Sequence, residues 1–136
     1  LHVVAKSLVR PLAEQDIADI AAYFSSQMVK AEASTGSTAA GKKLYLGGNR
    51  YTRLPACAGC HGPNGAGNGP GIIPHLAGQK AAYTAKALRD FKSGVRSNDR
   101  NNIMRDIAAK MSDKEIDAVA AFLSGLGAAE GEPAKP

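Results

Sequence analysis

The sequence predicts an all-α fold in which short helices surround a glycine-rich loop. Apolar residues recur at helical spacing in several stretches, and no stretch shows the alternation typical of a strand. There are only seven aromatic residues and no Trp, so alanine must do much of the packing between closely approaching helices. Seven of the fifteen glycines fall between Gly59 and Gly78. We therefore expect a loop over residues 56–79.

The chain has the size of one domain. Its 136 residues allow one modest core, and an apolar content of 44% excludes disorder throughout the chain. No apolar run approaches the roughly 20 residues of a membrane-spanning helix. Length and composition thus argue against a multidomain enzyme, a fibrous protein and a transmembrane protein.

Each predicted helix depends on a local pattern. The first has Ile17, Ile20 and Phe24 on one apolar stripe, and the last begins at a capping box formed by Ser112 and Glu115. The predicted helices cover residues 13–28, 38–47, 80–93, 102–110 and 112–125. The glycines expected to end three of them are Gly47-Gly48, Gly94 and Gly125.

An internal repeat links the two ends of the chain. Shifted by 99 residues, segment 8–25 matches segment 107–124, with polar, acidic and aromatic positions in the same order. We infer a duplicated domain. The expected units are a C-terminal helical part of a degenerate or truncated first domain (1–30), a linker (31–37), a complete domain (38–126) and a flexible tail (127–136). The chain lacks an initial Met and a signal segment, so we expect a removed leader or a longer parent protein.

Both cysteines of the chain lie in one motif, Cys57-Ala58-Gly59-Cys60-His61, which has the C-x-x-C-H pattern of covalent haem attachment. A short helical turn places the two thiols at one edge of the porphyrin, where they add to its vinyl groups. His61 then lies beneath the ring, where its imidazole can bind iron. Ala58 and Gly59 are small enough to keep the turn close to the macrocycle.

Three other interpretations of the motif are weaker. A thioredoxin-like dithiol requires a βαβ context, which the sequence lacks. A zinc site would need His75 besides the three donors of the motif, and the adjacent Cys60 and His61 cannot easily both reach one tetrahedral ion. A plain disulfide between the cysteines leaves His61 without a role.

A second axial ligand for the iron is expected at Met104. This residue lies in a polar stretch, RSNDRNNIMRD, where an isolated methionine has little reason to pack in a core. Met111 and Met28 fit core positions better, and His75 is a polar loop residue of the kind usually exposed to solvent. His/Met ligation raises the reduction potential of a haem. Because it fills both axial positions, it favours electron transfer over catalysis.

With this motif and these ligand candidates, the sequence resembles the class I cytochromes c, and most closely the cytochrome c4 type. The matching segments are CAGCHGPNGAGNGP, IIPHLAGQ, YTAKALRDFKSGVRSND and IMRDIAAKMSDKEIDAVAAFLSGL. With the helix before them, the resemblance covers residues 37–126. It implies a class I cytochrome c fold, with short helices around one covalent haem c.

The resemblance also implies a role for individual residues. Cys57 and Cys60 would hold the haem, with His61 and Met104 as its axial ligands. Pro74 would accept the proton of the proximal imidazole through its carbonyl, which orients that ring and raises its basicity.

Further residues are expected around the haem. Leu76 would press on its face. The helix over 80–93 is predicted to bury Tyr83, Ala87, Leu88 and Phe91. The three larger of these are expected to line the haem pocket, and one more pocket residue precedes the methionine. These four expected pocket residues are Tyr83, Leu88, Phe91 and Ile103. Gly41 and Tyr45 against Phe122 look like the family's crossing of the first and last helices.

One departure from the family pattern concerns the first segment. Proteins of the c4 type have two haem domains, whereas this sequence contains a single C-x-x-C-H motif. The repeat places Ala5 where Met104 stands in the second copy, so residues 1–30 cannot hold a haem in the usual way. His2 would be an unusual alternative ligand.

The resemblance implies a periplasmic carrier of single electrons, from a quinol-oxidising complex or dehydrogenase to a terminal oxidase or reductase. The expected location is the periplasm, either free or membrane-associated through a partner. One alternative is a haem subunit of a flavocytochrome-like dehydrogenase, which would purify as a complex. Another is a gas-binding or catalytic haem protein, which requires that Met104 does not bind iron. The last alternative is a zinc or dithiol protein without haem.

The net charge of +5 is concentrated in residues 80–110, which hold eight Lys or Arg and three Asp or Glu. A solvated helix face is the simpler interpretation of this stretch. A docking surface for an acidic redox partner is the functional one, because such a field mainly speeds encounter. Nucleic acid is not expected as a partner, since no binding motif is recognisable and few aromatics could stack on bases.

Overall fold

The structure, a computed structural model, describes residues 11–27 and 38–127. The all-α prediction is confirmed for them. Their helices are α1 (Glu14–Ser25), α2 (Thr38–Gly47), α3 (Ala58–His61), α4 (Ala81–Ser93), a 3₁₀ turn (Arg100–Asn102), α5 (Ile103–Ala109) and α6 (Asp113–Gly125). Pairing of extended backbone within these ranges is limited to two isolated bridges, Asn49 with Leu54 and Asn68 with Ile73.

Helices α2 and α6 pack against each other at the centre of the core. Gly41 permits the close approach, since a Cβ at this position would overlap the carbonyl oxygen of Ala118 and lie 2.8 Å from Phe122 Cβ. Tyr45, which is fully buried, stacks on Phe122 with ring centroids 5.4 Å apart. The expected contact of Gly41 and Tyr45 with Phe122, which joins α2 to α6, is therefore confirmed.

Helix α4 packs on both α5 and α6. It ends at Gly94, whose φ of 78° is the left-handed conformation expected of a residue that follows a helix. Its buried side chains are Thr84, Ala85 and Phe91. The prediction that Tyr83 is buried is wrong, because the helix turns Thr84 and Ala85 toward the core and leaves Tyr83 54% exposed.

Helix α6 begins at the predicted capping box. The Ser112 hydroxyl accepts the backbone N–H of Glu115 at 3.3 Å, and the Glu115 carboxylate accepts the backbone N–H of Ser112 at 2.8 Å. The predicted end of the helix at Gly125 is confirmed, although the left-handed glycine expected there lies two residues later. Gly125 remains helical, and the left-handed glycine is Gly127, with φ of 92°.

Helix α1 forms within the predicted range, but its apolar stripe is exposed. None of its residues is buried, and Phe24 is 68% exposed. The backbone N–H of Ala13 donates to the Asp16 carboxylate at 2.9 Å, which matches the bond between Ser112 and Glu115 in the repeat. Met28, Ala5 and His2 lie outside the described residues.

No helix among the described ranges is both long enough and apolar enough to cross a membrane.

Candidate functional site

The C-x-x-C-H segment forms the predicted helical turn. Cys57 is the N-cap of α3, and its carbonyl accepts the backbone N–H groups of Cys60 at 3.2 Å and His61 at 2.9 Å. Gly62, with φ of 78°, ends the turn. Both thiols are free, with Cys57 half-buried and Cys60 exposed. Burial raises the pKa of the Cys57 thiol above its ordinary value, so the group is protonated at neutral pH.

His61 is held in one tautomer. Its side chain is only 8% exposed, and its Nδ1 lies 3.0 Å from the carbonyl oxygen of Pro74. A carbonyl can only accept a hydrogen bond, so Nδ1 must carry the proton. Nε2 is then left with a free lone pair, which is the form of imidazole that binds a metal.

A tight turn places the Pro74 carbonyl. Gly67 has φ of 73°, and a Cβ there would lie 2.6 Å from the carbonyl carbon of Pro74. The Gly67 backbone N–H donates to the His61 carbonyl at 2.9 Å. The Asn68–Ile73 bridge then brings the chain back, with backbone bonds of 2.8 and 2.9 Å. A glycine at position 67 is therefore needed for the contact between His61 and Pro74.

Tyr45 supports the other side of the turn. Its hydroxyl donates to the carbonyl of Gly62, the residue after His61, at 2.6 Å. Burial is the main reason that the pKa of Tyr45 is raised to about 12. The phenol therefore keeps its proton, and with it this hydrogen bond, at any physiological pH.

Met104 is the second residue of α5 and is half-buried. Two of the other candidate ligands, Met111 and His75, are placed as the sequence predicted. Met111 is a core residue with 3% exposure, while His75 is exposed, with Nε2 3.0 Å from the Ala77 carbonyl.

The segment before Met104 is closed by Asp99 and Arg105. The Asp99 carboxylate accepts the backbone N–H of Arg105 at 3.1 Å and its Nε–H at 2.7 Å. Burial alone would raise the pKa of Asp99, but the hydrogen bonds from Arg105 hold it below its usual value. Asp99 is therefore ionised at neutral pH.

The expected pocket residues differ in burial. Phe91 is buried under the Arg96 guanidinium, 4.5 Å from its ring centroid, and Leu76 and Leu88 are half-buried against the core. Tyr83 and Ile103 are exposed.

The sequence did not single out three polar residues that the structure makes conspicuous. Thr84 is 7% exposed, and its Oγ1 is the one buried side-chain polar atom without a hydrogen-bond partner among the described residues. No local pattern marks it, although its place between Tyr83 and Leu88 could have drawn attention to it. Asp99 and Arg105 were likewise read only as part of a polar run.

These residues fit a covalently bound haem. Two free thiols and an imidazole with a free Nε2 lie on one helical turn, and a second helix offers a thioether. The zinc interpretation finds no support, since no cluster of three or more metal-binding side chains occurs in residues 11–27 and 38–127. The thioredoxin interpretation lacks its sheet over the same residues.

Comparisons with known proteins agree with this chemistry. The cytochrome c family model matches residues 38–127. Cytochrome c4 from Azotobacter vinelandii is 50% identical over 115 residues, which cover 83% of this chain and 55% of that protein. The thiosulfate dehydrogenase electron acceptor of Thiomonas intermedia is 34% identical over 127 residues, or 90% of this chain and 58% of that one.

A solved structure shares the fold. The crystal structure of reduced recombinant cytochrome c4 from Pseudomonas stutzeri superposes with a TM-score of 0.83 at 49% identity, covering 88% of this chain and 64% of that chain. The chain spans 55% to 63% of the length of the four cytochrome c4 relatives it matches. The chain therefore belongs to the cytochrome c family and carries one covalent haem c through Cys57 and Cys60.

Proposed function

We propose that the chain carries single electrons through a haem c with His61 and Met104 as axial ligands. The observation that supports this most is the contact between His61 Nδ1 and the Pro74 carbonyl, at 3.0 Å. It gives the imidazole the tautomer and the fixed orientation of an axial ligand. The haem, when bound, supplies an iron that changes by one electron between its ferric and ferrous states.

The protein side chains set the conditions for that exchange. Cys57 and Cys60 fix the group by thioether bonds, so it remains bound in both oxidation states. The hydrogen bond to Pro74 would hold the His61 ring in one orientation, with Nε2 available to the iron. The Met104 thioether favours the ferrous iron and raises the potential. A haem held by both His61 and Met104 would have no iron position left for a substrate.

The pocket would be formed by Leu76, Leu88 and Phe91 on the core side. Tyr83 and Ile103 would complete it from the exposed side of α4 and α5. Their large apolar surfaces are exposed, which is the property expected of residues that cover a bound ring.

The partners that we propose are redox proteins of the periplasm. A dehydrogenase or a quinol-oxidising complex would donate electrons, and a terminal oxidase or reductase would accept them. The similarity to the Thiomonas protein, named as an electron acceptor of thiosulfate dehydrogenase, favours a dehydrogenase as one donor.

Residues 1–30 are proposed to be the C-terminal helical part of a first cytochrome domain, joined by the linker 31–37 to the haem domain. Helix α1 supports this assignment, because Ala13 and Asp16 repeat the backbone-to-carboxylate bond of Ser112 and Glu115. The duplicated bond occurs at matching positions of the repeat.

The test is an optical redox titration of the holoprotein, followed by exposure of the ferrous form to carbon monoxide. We expect a one-electron transition, a methionine-to-iron charge-transfer band in the ferric spectrum and slow binding of the gas. Met104→Ala should lose the band and bind the gas rapidly, whereas Met111→Leu should retain both properties of the wild type. A wild type that lacks the band and binds the gas rapidly would instead favour the gas-binding alternative.

A further inference from the structure

We propose that Asp99 and Arg105 are positioning residues that hold Met104 in place as an axial ligand. We call this pair, together with the backbone N–H of Arg105, the Asp99–Arg105 clamp. The inference rests on the proposed ligand role of Met104 and adds the residues that determine where its thioether lies.

The clamp closes the chain segment that carries Met104. Asp99 Oδ2 accepts the backbone N–H of Arg105 at 3.1 Å, and Asp99 Oδ1 accepts its Nε–H at 2.7 Å. The Arg105 guanidinium also donates to the Asn102 side-chain oxygen. Arg105 directly follows Met104, so the backbone N–H that Asp99 holds belongs to the peptide bond that joins these two residues.

The enclosed segment has a conformation that it would not keep without support. Asn101 has φ of 53° and Asn102 has φ of 60°, two consecutive left-handed residues without glycine. Such a pair is disfavoured and persists only when surrounding contacts hold it. The Asp99 carboxylate bonds to Arg105 across the two asparagines, and these bonds connect the two ends of the segment.

The clamp also replaces an ordinary helix cap. Asn102 is the N-cap of α5 but makes no side-chain capping bond. The carboxylate of Asp99, three residues earlier, instead accepts the N–H of the third residue of the helix. Since α5 has only seven residues, fixing its first turn fixes the whole helix and the methionine on it.

The burial of Asp99 separates this ion pair from the others. The Asp99 side chain is 4% exposed, whereas the carboxylates paired with Lys92 and Arg89 are 71% and 61% exposed. A carboxylate removed from water needs hydrogen bonds to compensate for lost hydration. Both of its oxygens have them here, and both bonds go to the residue after Met104.

The clamp is tested by Asp99→Ala in the holoprotein, with Asp90→Ala as the matched control. Asp90 also pairs with a cation, Lys86, but this ion pair lies within α4, away from α5, and the Asp90 side chain is 27% exposed. The measurements are the methionine-to-iron charge-transfer band of the ferric form and the rate of carbon monoxide binding to the ferrous form. We expect Asp99→Ala to lose at least half of the band and to bind the gas at least tenfold faster. Asp90→Ala should match the wild type.

Two further variants keep the test decisive. Asp99→Asn retains an acceptor for the backbone N–H, and Arg105→Lys retains the charge but not the Nε–H, so both should show smaller changes in the same direction. They replace Asp99→Ala if that variant fails to accumulate. Haem content and far-ultraviolet circular dichroism should remain at wild-type values, which separates loss of positioning from loss of folding.

The same measurements distinguish failure of the clamp from failure of the proposed ligation. If all clamp variants retain the band and the slow gas binding of Asp90→Ala, the clamp is overturned while the His61 and Met104 ligation stands. If the wild type itself lacks the band, the ligation fails and the clamp fails with it.

Discussion

A single hydrogen bond decides which nitrogen of His61 is available to a metal. The Pro74 carbonyl takes the Nδ1 proton, and Gly67 is the residue that lets the Pro74 backbone come close enough. The C-x-x-C-H motif made His61 predictable, and the family resemblance suggested Pro74. Nothing in the local sequence indicated Gly67, because a close backbone approach between positions distant in the chain leaves no periodic pattern.

Substitution of Gly67 by Ala tests this turn. The variant meets both a left-handed φ of 73° and a clash with the Pro74 backbone. Gly94→Ala is the matched control, since Gly94 has φ of 78° and open space around it. We expect Gly94→Ala to lower the free energy of unfolding by about 1 kcal/mol and Gly67→Ala by clearly more. Equal losses in chemical denaturation would contradict the argument.

Tyr45→Phe tests the second support of the turn. The variant leaves the carbonyl of the half-buried Gly62 without its donor, which should lower the free energy of unfolding by roughly 1 kcal/mol at neutral pH. The raised pKa of Tyr45 means that its contribution is complete below its ordinary value of 10.0 and is lost as the pH rises toward about 12. Denaturation curves of wild type and variant should therefore converge across that interval. A constant difference would count against the bond.

At the level of elements, the positions of the helices along the chain were predicted well. Which side of a helix is buried, and which contacts hold its first turn, were not. The spacing of apolar residues and the capping box placed α6, and α4 lies within one residue of its predicted start. The burial of Tyr83 was predicted wrongly, because the direction of a helix face depends on its neighbours. The left-handed Asn101 and Asn102 also escaped prediction, since they are held by a carboxylate outside the helix they precede.

The α6 capping box predicts an acid-sensitive helix start. Its backbone bond to Ser112, followed by the Asn49 amide bond, lowers the pKa of Glu115 below its ordinary 4.5. The stabilisation is therefore present above that value and is lost as the pH falls through the lower, folded-state value. Glu115→Gln should be less stable than the wild type at neutral pH, and the difference in thermal unfolding should shrink below about pH 4.5. A difference that persists in acid would refute this assignment.

At the level of the whole molecule, the haem domain closes where α2 crosses α6. Gly41→Ala would place a methyl group on the Ala118 carbonyl, so we expect little or no folded holoprotein from this variant. Gly47→Ala lies on the same helix with open space around it and should accumulate normally, with stability unchanged or slightly raised. Haem yield per cell measures both. Normal yield of Gly41→Ala would show that the helices can separate without loss of the domain.

The charge of the molecule is arranged less simply than the sequence suggested. The basic residues of 80–110 that form ion pairs include Lys86, Arg89, Lys92 and Arg105. The positive stretch is thus partly neutralised where it folds against α6. The number of charges can be counted in the sequence, but their pairing cannot be predicted from it. The structure places Asp113 and Asp117 of α6 opposite Lys92 and Arg89 of α4. For this reason the sequence alone could not decide between a solvated helix face and a docking surface.

The central claim is that one haem c is held between His61 and Met104, and X-ray absorption at the iron edge of the holoprotein tests it most directly. We predict one sulfur ligand at the iron in both oxidation states, which disappears in Met104→Ala and remains in Met111→Leu. An iron without a sulfur ligand in the wild type, or one whose sulfur persists after Met104→Ala, would contradict the account.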